Sequence, residues 1–253
     1  MESVKEVIAN QPWAESRKLR VANLYTLFLK MLGETWNPPK YKPVHKLPFI
    51  PTEKTIDQLI SACGKKTSTY LQLLKETGMR SGEADKLLWN DVDFERCTVN
   101  ITPEKNSNPR ILKVSKELVG RLKALPRTSD RMFGNRSYNS PRNAFCQQRR
   151  RIAKRLNKPK IAQIHFHTLR HWYATKLYYE TKDILLVKAR LGHKRIDSTL
   201  LYVQLAEAVY GKGELDDFVC KTAKTPKEIS DLIEVGFDYV TEMDGLKFFR
   251  KRK

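Results

Sequence analysis

Acidic side chains are scarce in this sequence: 28 Asp and Glu stand against 48 Lys and Arg, a formal charge of +20 over 253 residues. Between Arg131 and Tyr179 there is no Asp or Glu, while twelve Lys or Arg occur. Cysteine is rare too. Cys63, Cys97, Cys146 and Cys220 are scattered without a CxxC pair, which excludes a cysteine-based zinc site and suits thiols kept reduced in a cytosol. No run of eighteen apolar residues is present to span a membrane. The opening Met1-Glu2-Ser3-Val4-Lys5-Glu6 lacks the apolar core of a secretion signal, so a cytoplasmic, DNA-associated location is expected. Hydrophobic residues make up 40% of the chain, enough to bury a core and exclude wholesale disorder.

The positive charge is unevenly placed. Residues 208–253 hold nine basic and nine acidic side chains, so residues 1–207 carry the whole excess. Seven cations crowd into Arg149–Lys160: Arg149, Arg150, Arg151, Lys154, Arg155, Lys158 and Lys160. A solvated helix face usually interleaves both signs, whereas a phosphate-binding surface excludes negative charge. The missing acids therefore point to a nucleic-acid surface whose affinity falls steeply with salt.

Three segments follow from the pattern. Residues 1–47 form a short helical arm, in which Val21, Leu24, Tyr25, Phe28, Met31 and Leu32 recur at helical spacing and Gly33 closes the helix. One long helix and a shorter one fit there. Pro38, Pro39, Pro43, Pro48 and Pro51 then mark an extended linker, because proline fixes φ and cannot donate to a ladder. Residues 48–207 read as the main domain. Thr52 caps one helix, a second runs about Thr67–Thr77 to Gly78, and Ser81 is placed to cap a third. A β-hairpin is expected on Phe94–Ile101 and Arg110–Val114, followed by helices, with Gly192 ending one and Asp197 or Ser198 capping the next. Residues 208–253 form a tail with a helix over Thr225–Tyr239 and a disordered basic end at Phe248–Lys253. The fold class is mainly α, with a small antiparallel sheet.

Several chemistries lack their motifs. His167 and His171 share the spacing of a zinc-binding HExxH, but Thr168 stands where the glutamate base belongs. Neither a GxSxG elbow nor a GxxxxGK[ST] loop occurs. What is present needs no metal or other cofactor. His167-Thr168-Leu169-Arg170-His171 is followed by Leu191-Gly192-His193 and then Tyr202, and upstream Thr77-Gly78-Met79-Arg80-Ser81-Gly82-Glu83 sets an arginine at a helix start. Two arginines can grip the oxygens of a phosphodiester and stabilise charge growing in its transition state. A tyrosine can attack that phosphorus, histidines can manage protons, and a lysine can protonate the leaving oxygen.

The order Arg80, Lys105, HTLRH at 167–171, LGH at 191–193 and Tyr202 resembles the tyrosine recombinases, or phage integrases, over roughly Pro48–Leu205. LRHWYATKL and LGHKRIDSTLLY look most like archaeal integrases. The resemblance implies an integrase catalytic fold and site-specific strand exchange on double-stranded DNA through a 3′-phosphotyrosine, with four subunits holding two duplexes. It makes Tyr202 the nucleophile, Arg80 and Arg170 the phosphate clamp, and His167 a proton-transfer or hydrogen-bonding group. His193 binds the phosphate and Lys105, in the hairpin turn, is the general acid. Glu83 and His171 support the site from behind. The family's usual N-terminal clamp has about four helices, more than residues 1–47 can hold, and its C-terminal helix often passes to a neighbouring subunit. Two alternatives stay open on the sequence: a type IB topoisomerase-like enzyme that religates the same strand, and a DNA-binding protein with an inactive site. Tyr202, beside Leu200, Leu201 and Val203, is also readable as a core residue.

Overall fold

The structure is a computed structural model and describes residues 2–43, 46–104, 107–134, 141–211, 218–243 and 245–252. The chain divides into two compact units, Met1–Pro48 and Phe49–Lys253. In the first, α1 (Glu2–Asn10) and α2 (Glu15–Met31) pack together. Trp36 folds back on α2, its Nε1 donating to Thr26 Oγ1 at 2.9 Å and its ring meeting Tyr25 edge-on at 4.8 Å.

The second unit opens with α3 (Glu53–Ala62), whose first turn is capped by Thr52 Oγ1 accepting from Thr55 N–H. α4 (Lys65–Thr77) follows and ends in Gly78 at φ +59, a left-handed conformation that glycine adopts without a Cβ clash. A side chain at Gly78 would in any case collide with the Tyr173 ring. α5 (Ser81–Lys86) is short, and its N-cap is Arg80 rather than Ser81. The Glu83 carboxylate reaches back to accept the Arg80 N–H at 2.8 Å, the acidic half of a capping box, and fixes where the helix begins.

β1 (Val92–Asp93), β2 (Thr98–Ile101) and β3 (Arg110–Lys113) form a three-stranded antiparallel sheet in that order. The expected first strand is shorter than Phe94–Ile101, because the chain turns at Cys97 with φ 53. Val99 pairs with Leu112 and Ile101 with Arg110, all facing inward. α6 (Lys116–Lys123), α7 (Pro141–Arg155) and α8 (Phe166–Thr181) complete the main core with α3 and α4. Ile56, Leu59, Tyr70, Leu71, Leu112 and Leu118 are wholly buried there, each aliphatic chain stabilising the fold by about 1.5–3 kcal/mol. α8 packs on α4 on one side and, on the other, on α9 (Ile184–Leu191) and α10 (Asp197–Tyr210). Those three helices enclose a smaller core of Ala174, Val187, Leu191, Tyr202 and Leu205. α10 starts from Ile196 as N-cap, one residue before the expected Asp197.

The last segment departs from expectation. β4 (Phe218–Ala223), α11 (Pro226–Glu234), β5 (Asp238–Met243) and β6 (Leu246–Arg252) build a second antiparallel sheet ordered β4-β6-β5. Gly236 at φ +87 stops the helix well before Tyr239. α11 lays Ile229 and Leu232 on its own sheet, against Ala223, Phe237 and Phe249. The basic end expected to be disordered is the central strand β6, held by pairing on both edges and by the buried Phe249 ring. Successive Phe248 and Phe249 hide the alternation that would have revealed a strand.

Candidate active site

Arg170 projects from the first half of α8 and is only 1% exposed. Its Nη1 donates to Gly78 O at 2.7 Å and its Nη2 to Leu191 O at 2.8 Å. These carbonyls lie at the C-terminal ends of α4 and α9, where unpaired oxygens carry partial negative charge. Burial and the nearby Arg80 charge pull its pKa down to about 10, against the raising pull of Tyr202 and Glu83. It stays cationic at neutral pH.

Arg80 stands beside it at the start of α5, its side chain 27% exposed. Its Nη1 donates to Ser107 Oγ at 2.7 Å and lies 3.5 Å from Glu83 Oε1. Glu83, 3% exposed, also receives both terminal nitrogens of Arg110, at 3.2 and 2.7 Å. Burial works to raise the Glu83 pKa. The Arg110 bonds and charge, the Arg80 N–H and the Arg170 charge outweigh it and hold the carboxyl below its usual range.

The base of the hairpin turn docks at the end of α9. Ser107 Oγ donates to Gly192 O at 2.9 Å and Asn108 N–H to the same oxygen at 3.0 Å. Gly192 sits at φ +69, and a Cβ there would lie 2.7 Å from both Arg110 Nη1 and Ser107 Oγ. Only a residue without a side chain lets turn and helix end meet so closely. Lys105, expected in this turn, lies outside the described residues. On either side of it, Glu104 lines the cavity described below and Ser107 bonds Arg80.

His167 and His171 rise from the same face of α8, their rings edge-on at 4.6 Å. Solvent reaches part of the His167 ring, and its packed remainder, then the Arg170 and Arg80 charges, lower its pKa. His171 lies deeper; burial, His167 and Arg170 push it to about 4. Its Nδ1 is 3.2 Å from the hydroxyl of Tyr202, which comes from α10 of the same chain. Tyr202 is 3% exposed, its ring packed in the smaller core as the reading as a core residue expects. Burial raises its pKa, and Arg170 and Arg80 pull in the opposite direction. His193, after Gly192, bonds the buried Thr199 hydroxyl through Nδ1 at 2.9 Å. Burial and then Arg170, Arg80, Arg110 and His167 bring it to about 4.

A cavity of about 670 Å³ opens over these cations, lined by Arg80, Glu104, Arg149, His165, His167 and Arg170 among others. The sequence pattern puts Arg149 in a surface run, but the side chain is buried. Its Nη1 donates to Ile164 O at 2.6 Å and to His165 Nδ1 at 2.8 Å. Arginine has no acceptor, so His165 carries its proton on Nε2. The remaining cations of the run, Arg150, Arg151, Lys154, Arg155, Lys158 and Lys160, are exposed on α7 and the turn after it. Arg110 does not stand out in the sequence, although an arginine at an inward position of an alternating strand signals a buried acidic partner.

Residues 51–208 match the profile of the Phage integrase family. The chain is 27% identical over 203 residues to tyrosine recombinase XerA of Saccharolobus solfataricus, covering 79% of this chain and 67% of that protein. It is 26% identical over 205 residues to a tyrosine recombinase of Thermosipho africanus, covering 76% and 71%. XerA of Pyrococcus horikoshii matches at 26% over 172 residues, covering 63% and 58%. The chain thus spans between 58% and 71% of the length of these relatives. In fold it is similar to a Tn1549 transposon integrase in complex with transposon right end DNA, with TM-score 0.61, 14% identity and coverage of 91% and 82%. A crystal structure of XerA recombinase gives TM-score 0.53 at 22% identity, covering 84% and 82%.

Proposed function

The chain belongs to the phage integrase family, and from that premise we propose that it is a tyrosine-type site-specific recombinase, cutting and rejoining double-stranded DNA. Tyr202 attacks the scissile phosphorus and becomes the 3′-phosphotyrosine. Arg80 and Arg170 hold the non-bridging oxygens, where negative charge grows in the transition state. His193 and His167 donate to the same phosphate, and Lys105, on the turn that docks at Gly192, protonates the departing 5′ oxygen. Arg149, braced by Ile164 O and the neutral His165 ring, holds one wall of the cavity in place, and the exposed cations of α7 grip flanking phosphates. Each protomer cuts one strand, so exchange between two duplexes engages four.

The observation carrying this reading is the placement of Tyr202: a buried phenol, supplied by its own chain, in the fields of both Arg170 and Arg80. The test is a nicked suicide duplex incubated with the protein, followed by denaturing electrophoresis and mass spectrometry. The expected result is a covalent adduct on Tyr202, absent in Tyr202→Phe while DNA affinity stays nearly intact. An adduct that survives Tyr202→Phe overturns the assignment of the nucleophile. With paired duplexes, products joining strands of different parents mark a recombinase, whereas relaxation alone marks a topoisomerase-like enzyme.

A further inference from the structure

We infer that His171 is the base that takes the Tyr202 proton as the phenolic oxygen attacks phosphorus, an inference that rests on Tyr202 being the nucleophile. The attacking oxygen must lose a proton, and at 3% exposure Tyr202 has little water to give it to. The hydrogen-bond partner that its hydroxyl has among the described residues is His171 Nδ1, at 3.2 Å. The two rings lie 5.8 Å apart and are tilted at 51°, with the hydroxyl within hydrogen-bond reach of the imidazole nitrogen. With its own proton on Nε2, the imidazole presents a free lone pair to the O–H.

The surroundings also give this base a condition for acting. His171 faces His167 and Arg170 from its own helix and Tyr202 from α10. In the free protein its basicity is held low by burial, then by His167 and Arg170. A phosphodiester seated on Arg170 and Arg80 brings a compensating negative charge. Removing that electrostatic opposition raises the affinity of the imidazole for a proton. The base is therefore strengthened by the substrate, and the phenol stays protonated while the cavity is empty.

The balance is simple. The Tyr202 O–H bond breaks and its proton passes to Nδ1, while the oxygen lone pair forms the O–P bond. The P–O5′ bond breaks, and the 5′ oxygen keeps the electron pair and takes a proton from the general acid. In rejoining, an incoming 5′-hydroxyl returns its proton to that acid's conjugate base and attacks phosphorus. Tyr202 then leaves and recovers its proton from His171.

The experiment is single-turnover cleavage of the suicide duplex by the wild-type chain, His171→Ala and His171→Gln across pH 5.5–9. Glutamine can still hydrogen-bond the hydroxyl but cannot take its proton, so it separates a base from a positioning group. Both variants are expected to form the adduct at least ~10²-fold more slowly, with rates that climb as hydroxide replaces the lost base. Either variant cleaving at the wild-type rate or faster overturns the inference and makes the contact a resting latch. A slow variant with an unchanged pH profile overturns it as well. Should the alanine chain fail to fold, the glutamine chain decides by the same two readouts. An unaffected variant beside a wild-type adduct at Tyr202 sinks only the role of His171; a wild-type chain without that adduct sinks the function on which it rests.

Discussion

Glu83 and Arg110 face each other across the hairpin and α5 with two hydrogen bonds, at 2.7 and 3.2 Å, both groups almost entirely out of water. The same carboxylate takes the Arg80 N–H, so one acidic side chain sets both the docking of the hairpin and the direction in which Arg80 leaves its helix. Removing either partner strands a buried charge.

Glu83→Ala and Arg110→Ala should each destabilise the chain by about 3–5 kcal/mol. Arg110→Lys should recover little, because an ammonium cannot form the paired bonds. Urea unfolding followed by circular dichroism reads the loss. The double alanine variant should cost less than the sum of the two, and strict additivity would contradict a coupled pair.

Acid should destabilise the fold in two windows. His171 and His193 are pushed from an ordinary 6.5 to about 4. Below pH 6.5 the unfolded chain takes up protons that the folded chain refuses, so stability falls with falling pH until about 4 and then levels for these groups. The slope is at most about 1.4 kcal/mol per histidine per pH unit. Glu83, also depressed, adds its loss lower, as pH drops below the usual carboxylate value and through the folded one. Thermal melting between pH 4 and 7.5 measures the first window, and His193→Gln should flatten its slope.

Charge reversal at Arg150, Arg151 and Lys154 should weaken duplex binding and lower the slope of log affinity against log salt, by roughly 0.9 for each phosphate that is no longer neutralised. Arg149→Ala should behave differently. Buried against Ile164 and His165, it should cost stability and cleavage rate while leaving the salt slope close to the wild-type value. Fluorescence anisotropy from 50 to 300 mM salt separates the two.

Lys105→Ala should block cleavage of an ordinary duplex and regain it on a substrate whose 5′-bridging oxygen is sulfur, since a thiolate leaves without a proton. Quench-flow on the two substrates measures this. Equal defects on both would move the general acid to another residue.

The helices and the site motifs are legible in the sequence because each carries a local mark. Thr52 before an amphipathic run, Gly78 and Gly192 after one, and the HTLRH and LGH spacings are all read within a few residues. Arg110 escapes such a reading because its importance is a pairing across 27 positions with Glu83, and no short window holds both. Arg149 is misplaced for a related reason. Its neighbours Arg150 and Arg151 are exposed, and only the rotation of α7 turns one cation of three inward. At the far end, β6 owes its order to partners on both sides, β4 and β5, so its own residues give no sign of it.

The guanidinium of Arg170 ties together the ends of two helices before any DNA arrives. Under the roles proposed above, a decoy that still recognises its target but never nicks it is therefore poorly made at position 170, where removing the guanidinium also loosens the scaffold. Position 202 offers a cleaner route: deleting one hydroxyl keeps the aromatic ring in its niche and leaves the grip on the duplex to residues it does not touch.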